Sequence, residues 1–200
     1  VKKRGVVIAS HPGGMTPLIT LLNSLSTCRR QVHVVINNCP EDQVLAIHDQ
    51  LMQVDLIRPL WVYFNEEPGY ELGAFKTILE HTDLDEFLFL QDTFEVKDVS
   101  FIDVVFRRKE SVALGPTFFH YAGKWKRSVL EQMEIPVVRS KQESIHWEHT
   151  FSRQYWERET VWVFDPHFHD GEHKGFVDAF GRENMLLENE FYIKRKGTWK

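Results

Sequence analysis

Cysteine is nearly absent from this chain: Cys28 and Cys39 are the two in 200 residues. That excludes a disulfide scaffold and a cysteine zinc motif. Both thiols are expected to stay reduced, which points to a cytoplasmic protein. No apolar run approaches the roughly 20 residues of a membrane-spanning helix. Val1-Lys2-Lys3-Arg4 leads straight into a short apolar strand, so no secretory leader is expected. Excess positive charge is missing too. The formal net charge is −5, leaving no global field for nucleic acid and only a local basic cluster at Lys194-Arg195-Lys196 with Lys200. Repeats, low-complexity tracts and clear linkers are also lacking, so one domain over residues 1–200 is expected.

What is present is regular alternation. Gly5 to Ser10 is a short β-branched run closed by His11-Pro12-Gly13-Gly14, and Thr16-Pro17 reads as a cap and first turn for a helix carrying Leu18, Leu21, Leu22 and Leu25. Gln31 to Ile36 is a second strand ending on Asn37-Asn38. Pro40 and Glu41-Asp42 open a second helix. Leu60 to Phe64 is a third strand. Gly69 precedes a helix with Leu72, Phe75, Ile78 and Leu79, and Glu86 to Leu90 is a fourth strand. Four strand–helix alternations within about 90 residues predict an α/β fold, a mostly parallel sheet with helices on both faces. Aromatics make up 13% of the chain and sit mostly in apolar runs, which assigns them to a large core.

The later residues are less regular. Helices are expected over 98–106 and 140–158, and strands over 112–115 and 161–165. A histidine-dense loop spans 167–173, partial helix is expected over 176–192, and a basic tail over 193–200.

Ligands of such sheets sit outside the carboxyl ends of the strands. The four ends here are Ser10-His11, Asn37-Asn38, Asn65-Glu66 and Gln91-Asp92-Thr93, all polar. The turn Gly69-Tyr70-Glu71-Leu72-Gly73-Ala74 opens a helix whose first N–H groups attract negative charge. Together they suggest a site for a phosphorylated ligand.

This order of elements, with the Tyr70-Glu71-Leu72-Gly73-Ala74 segment and the acidic turn after the fourth strand, resembles the nucleotide-sugar glycosyltransferases of the GT-A fold. The likeness is carried by residues 1 to about 120. It implies a nucleotide-sugar-binding half over 1–120 and an acceptor and catalytic half over 121–200. In that family the first two strand ends hold the nucleoside, and an Asp-x-Asp turn binds a divalent cation, Mn²⁺ or Mg²⁺, with the donor phosphates. Gln91-Asp92-Thr93 departs from that turn: only its middle residue is acidic, and each lost carboxylate weakens a hard-cation site.

The resemblance implies Ser10, His11, Asn37, Asn38, Glu71, Gly73, Lys76, Gln91 and Asp92 as the residues that bind the donor. It implies Asp92 with a late histidine, His169 or its neighbours His167 and His173, as metal ligands. An inverting transfer needs a carboxylate to take the acceptor proton. Glu148, in the segment His146-Trp147-Glu148-His149, is the first candidate base and Glu143 the second. The acceptor is an unspecified hydroxyl. Two alternatives share the scaffold: a nucleotidyltransferase, disfavoured because His11-Pro12-Gly13-Gly14 offers no Lys or Arg, and a carbohydrate- or partner-binding module that has lost its metal site.

Overall fold

The computed structural model describes residues 2–115, 121–165, 176–177 and 183–196. Strand β1 (Arg4–Ser10) is followed by a 3₁₀ turn (Pro12–Gly14) and helix α1 (Met15–Ser24). Then come β2 (Gln31–Ile36), α2 (Glu41–Leu51), β3 (Leu60–Phe64), α3 (Tyr70–His81), β4 (Glu86–Gln91) and β5 (Phe94–Val96). The remaining elements are α4 (Ser100–Arg107), β6 (Ser111–Ala113), β7 (Gly123–Lys126), α5 (Arg127–Leu130), α6 (Lys141–Trp156), β8 (Val161–Val163), β9 (Phe176–Val177), β10 (Glu183–Glu188) and β11 (Tyr192–Lys196).

Seven strands form the main sheet in the order β3-β2-β1-β4-β7-β6-β8. The first four run parallel, β7 is antiparallel to both neighbours, and β8 is parallel to β6. A smaller antiparallel sheet has the order β5-β11-β10-β9. Strand order turns around between β1 and β4. Helix α1 leaves β1 for one face and α3 leads into β4 from the other, so a crevice opens between the carboxyl ends of these two strands.

The β1 sequence shows why both faces are covered. Val6 and Ile8 join a core with Leu18, Leu21 and Leu22 of α1 and Phe101 of α4. Val7 and Ala9 join the opposite core with Phe75 and Ile78 of α3 and Phe151 of α6. Period-two side-chain alternation divides one apolar run between two layers of helices. Phe75 anchors the second core, with ring centroids 4.8 Å from Phe89 and 4.7 Å from Trp125.

Two local expectations are corrected. The 3₁₀ turn runs directly into α1, so Gly14, not Thr16, precedes the helix, and His11 accepts the Gly13 N–H at 3.2 Å to start that turn. The partial helix expected over 176–192 is replaced in its described parts by β9 and β10. The expected basic tail contributes β11, which pairs with β5 from the far side of the sequence. Cys28 and Cys39 are both buried and free. No described helix is long and apolar enough to cross a membrane.

One buried side chain in the sheet titrates far from its ordinary range. His33 on β2 is 4% exposed, its Nδ1 lies 3.1 Å from the Tyr63 hydroxyl, and its Nε2 has no hydrogen-bond partner among the described residues. Burial lowers its pKa from 6.5 to about 4. The unfolded chain therefore binds this proton more readily, and the stability owed to neutral His33 is lost as pH falls from 6.5 toward 4. The gap in unfolding free energy between wild type and His33→Phe should change by up to about 3 kcal/mol across that window. Chemical denaturation at a series of pH values measures it; a gap that does not vary with pH would refute the assignment.

Candidate functional site

Parallel packing gathers the four polar strand ends at one edge of the sheet. Ser10 ends β1, and its Oγ donates to Asp92 Oδ2 at 2.6 Å, bridging the β1 and β4 sides of the crevice. Gly14 makes this possible: a Cβ there would lie 2.6 Å from Asp92 Oδ2 and 2.8 Å from Ser10 Oγ. Asp92 is wholly buried and its Oδ1 has no hydrogen-bond partner among the described residues. Burial pushes its pKa up from 3.8 to about 7, against the downward pull of the Ser10 hydrogen bond and the Lys194 charge.

Beyond β2, Asn37 is buried and bonded through both its amide nitrogen and its amide oxygen. Its Nδ2 donates to the Tyr70 carbonyl at 2.7 Å, and its Oδ1 accepts from Asn65 Nδ2 at 2.8 Å. These bonds tie the ends of β2 and β3 to the glycine turn of α3. Asn38 has a φ of 53°, in the left-handed region that Asn tolerates better than most residues. Gly69, with a φ of 46°, turns the chain into α3.

Gly73 carries the closest approach of the turn: a Cβ there would stand 2.7 Å from Asn37 Oδ1. Helix propensity favours Gly73→Ala by up to about 1 kcal/mol, but overpacking a buried polar network costs about 1–3 kcal/mol. The variant should therefore lose about 1–2 kcal/mol of stability as Asn37 is displaced. A denaturant midpoint equal to or above wild type would show that the turn relaxes freely.

These elements enclose a cavity of about 270 Å³ lined by Ala9, Ser10, His11, Asn37, Asn38, Pro68, Tyr70, Glu71 and Lys141. A second cavity of about 310 Å³ lies on the other side of the Ser10–Asp92 pair, lined by Thr16, Pro17, Thr20, Asp92, Thr93, Phe94 and Glu95. Burial, with the nearby Lys141 charge, lowers the His11 pKa, so at neutral pH the cavity wall presents a neutral imidazole. Gln91 Nε2 donates to Glu71 Oε1 at 2.8 Å, and Ser144 of α6 approaches Glu71 Oε2 at 3.4 Å. A larger basic concavity of about 550 Å³ lies at the opposite, amino-terminal edge of the strands. Several of its cations are held by Asp83, Glu86 and Asp103, and none of the strand-end residues above line it.

Of the residues singled out in the sequence, Ser10, His11, Asn37, Asn38 and Glu71 share the first cavity, and Gly73, Gln91 and Asp92 support its walls. Lys76 does not join them. At about 100° per residue it is some 140° around α3 from Glu71, exposed, with its Nζ 3.9 Å from Glu80. Glu143 serves the start of α6: its N–H donates to Ser140 Oγ at 3.2 Å and its Oε2 accepts the Arg139 N–H at 2.8 Å. Glu148 is half-buried one helical stretch further on. His167, His169 and His173 lie outside the described residues.

Four further side chains are brought near the site by the fold. Lys141 and Tyr70 line the cavity together, with Lys141 Nζ 5.5 Å from the centre of the Tyr70 ring. Tyr121 is buried against Phe75 and Phe89, and its hydroxyl has no hydrogen-bond partner among the described residues. Burial raises its pKa, and the charges of Glu71 and Glu148 raise it further, so this hydroxyl lies within the fields of both acids. Lys194, read from sequence as part of a basic tail, is 6% exposed. Its Nζ donates to Gln91 Oε1 at 2.5 Å and to Thr93 Oγ1. Pairing of β11 with β5 places Lys194 opposite Phe94 and buries it.

No family model and no curated protein matches the chain. Solved structures do. The chain superposes on S. aureus TarS 1-349 with a TM-score of 0.60 at 14% identity, covering 96% of this chain and 60% of that one. It superposes on the mannosyltransferase PcManGT from Pyrobaculum calidifontis, solved in complex with GDP-Man and Mn²⁺, with a TM-score of 0.59 at 12% identity, covering 82% of this chain and 55% of that one. The fold is therefore GT-A-like, and the chain spans little more than half the length of either structure.

The Mn²⁺ in the second structure prompts a test of the present donor set. Among the described residues no three His, Cys, Asp or Glu side chains stand close enough to hold a metal ion. The acidic turn offers one carboxylate, buried and already bonded to Ser10, between two neutral side chains that hold an ammonium. The described residues do not fit a divalent cation.

Proposed function

We propose that this chain binds a nucleotide-diphosphate sugar in the crevice between β1 and β4 and transfers the sugar to a hydroxyl acceptor, with inversion at the anomeric carbon. One observation carries the reading: Ser10, His11, Asn37, Asn38 and Glu71, contributed by the ends of β1 and β2 and the α3 turn, line a single cavity beside the point where strand order reverses. In this reading His11, Asn37 and Asn38 hold the nucleoside, and the first turn of α3 faces the diphosphate. Asp92 is a positioning residue that fixes Ser10. Glu148 takes the acceptor proton beside the Tyr121 hydroxyl.

Purified protein with a panel of UDP- and GDP-sugars should show a rise in melting temperature on the order of 5 °C at saturating donor. His11→Ala should remove most of the shift. No shift with any nucleotide sugar, with or without Mn²⁺, would refute the proposal. The single buried acid of the Gln91-Asp92-Thr93 turn favours one other reading, a binding module without transferase activity. A donor-dependent thermal shift without release of nucleoside diphosphate, across a panel of hydroxyl acceptors, would select it.

A further inference from the structure

Two ammonium groups stand beside the crevice residues, from parts of the chain far apart in sequence: Lys141 on the cavity wall and Lys194 behind Gln91 and Thr93. Lys194 comes from β11, whose register sets it opposite Phe94. Its ammonium bridges Gln91 Oε1, at 2.5 Å, and Thr93 Oγ1, and lies 4.8 Å from the centre of the Phe94 ring. Lys141 opens α6, is exposed on the cavity wall, and forms no ion pair among the described residues.

We propose that Lys194 and Lys141 neutralise the donor's diphosphate in place of a divalent cation, so that nucleotide binding by this chain needs no metal. The inference rests on the nucleotide-sugar reading above. Its core is a matching of charge. Two carboxylates on either side of a turn residue suit a dication between them. Here the side chains at positions 91 and 93 are neutral oxygen donors, and a monocation sits between them. Neutral amide and hydroxyl oxygens hold a hard dication weakly, and an ammonium already seated among them repels a second cation. The same ammonium is a point-charge phosphate ligand of ordinary strength. Lys141 supplies a second positive charge from the other wall, carried on a helix anchored by Ser140 and Glu143.

The test is calorimetric titration of the whole chain with UDP, GDP, ADP, CDP and dTDP, once in EDTA and once in Mn²⁺. One of these nucleotides should bind in both buffers with dissociation constants within about threefold. Lys141→Ala, at an exposed position, should weaken that binding about tenfold, and Lys194→Ala by more, on the order of a hundredfold, with Lys194→Arg retaining most of it. Binding that appears only with Mn²⁺ overturns the lysine assignment and leaves the nucleotide reading standing. Unchanged affinity in Lys141→Ala overturns that lysine's role even if Lys194→Ala fails to fold. No binding of any nucleotide in either buffer overturns the nucleotide reading, and this inference with it.

Discussion

Asp92→Asn is expected to make the protein more stable at neutral and alkaline pH. The folded state holds the Asp92 proton with a pKa of about 7, against 3.8 for the unfolded chain. A folded pKa above the unfolded one means stability present below pH 3.8 and lost as pH rises toward 7, as the unfolded chain alone releases its proton. Above that window the carboxylate costs at most about 4 kcal/mol, and asparagine, of nearly the same shape, removes that cost. Burying the amide uses up part of the gain, so an increase of about 1–3 kcal/mol is expected near pH 8, a rise of several degrees in melting temperature. Near pH 4 the gain should vanish. The window overlaps that of His33 and its slope has the opposite sign, so the wild-type profile is flatter than either variant's. Asp92→Asn less stable than wild type at pH 8 would show that the charge is compensated in the fold. The fold thus holds a wholly buried acid, its Oδ1 without a partner among the described residues, at a cost to its own stability.

Glu148→Gln should abolish transfer while leaving nucleotide affinity intact. Loss of a general base lowers a rate by about 10²–10⁴-fold. Glutamine keeps the volume and hydrogen-bonding shape but has no lone pair basic enough to take the acceptor's proton. The paired control is Glu143→Gln. Because Glu143 is committed to the helix start, this change should lower stability by about 1 kcal/mol or less and the rate by well under tenfold. Progress curves for nucleoside diphosphate release in the two variants decide between them. Full activity in Glu148→Gln alongside an inactive Glu143→Gln would move the base one and a half turns toward the start of α6.

Local pattern carries the first ninety residues well, because each strand there is a short apolar run bounded by punctuation and each helix repeats its apolar side chains every three to four residues. The polar ends of β1, β2 and β4 could be read as one edge because parallel strands must share it. What escaped depends on partners distant in sequence. Val96 is paired with Tyr192 and Phe87 with Trp125, pairings that no local window contains. Residues 183–196 have too few turn signals to distinguish strand from helix, and Lys194-Arg195-Lys196 reads as a basic tail until β5 supplies an edge to pair with. Lys76 misled for a different reason: proximity along the helix suggested the crevice, but rotation about the helix axis carried the side chain away from it.

The bridge from Lys194 to Gln91 spans 103 residues of chain. Synthesis proceeds from the amino terminus, so β1 to β4 can assemble on the ribosome well before β11 exists. The ammonium beside Gln91 and Thr93 is consequently seated after the parallel strands have formed. Until β11 pairs with β5, Gln91 and Thr93 lack their cation and the core around Phe94 and Phe101 lacks the Tyr192 ring.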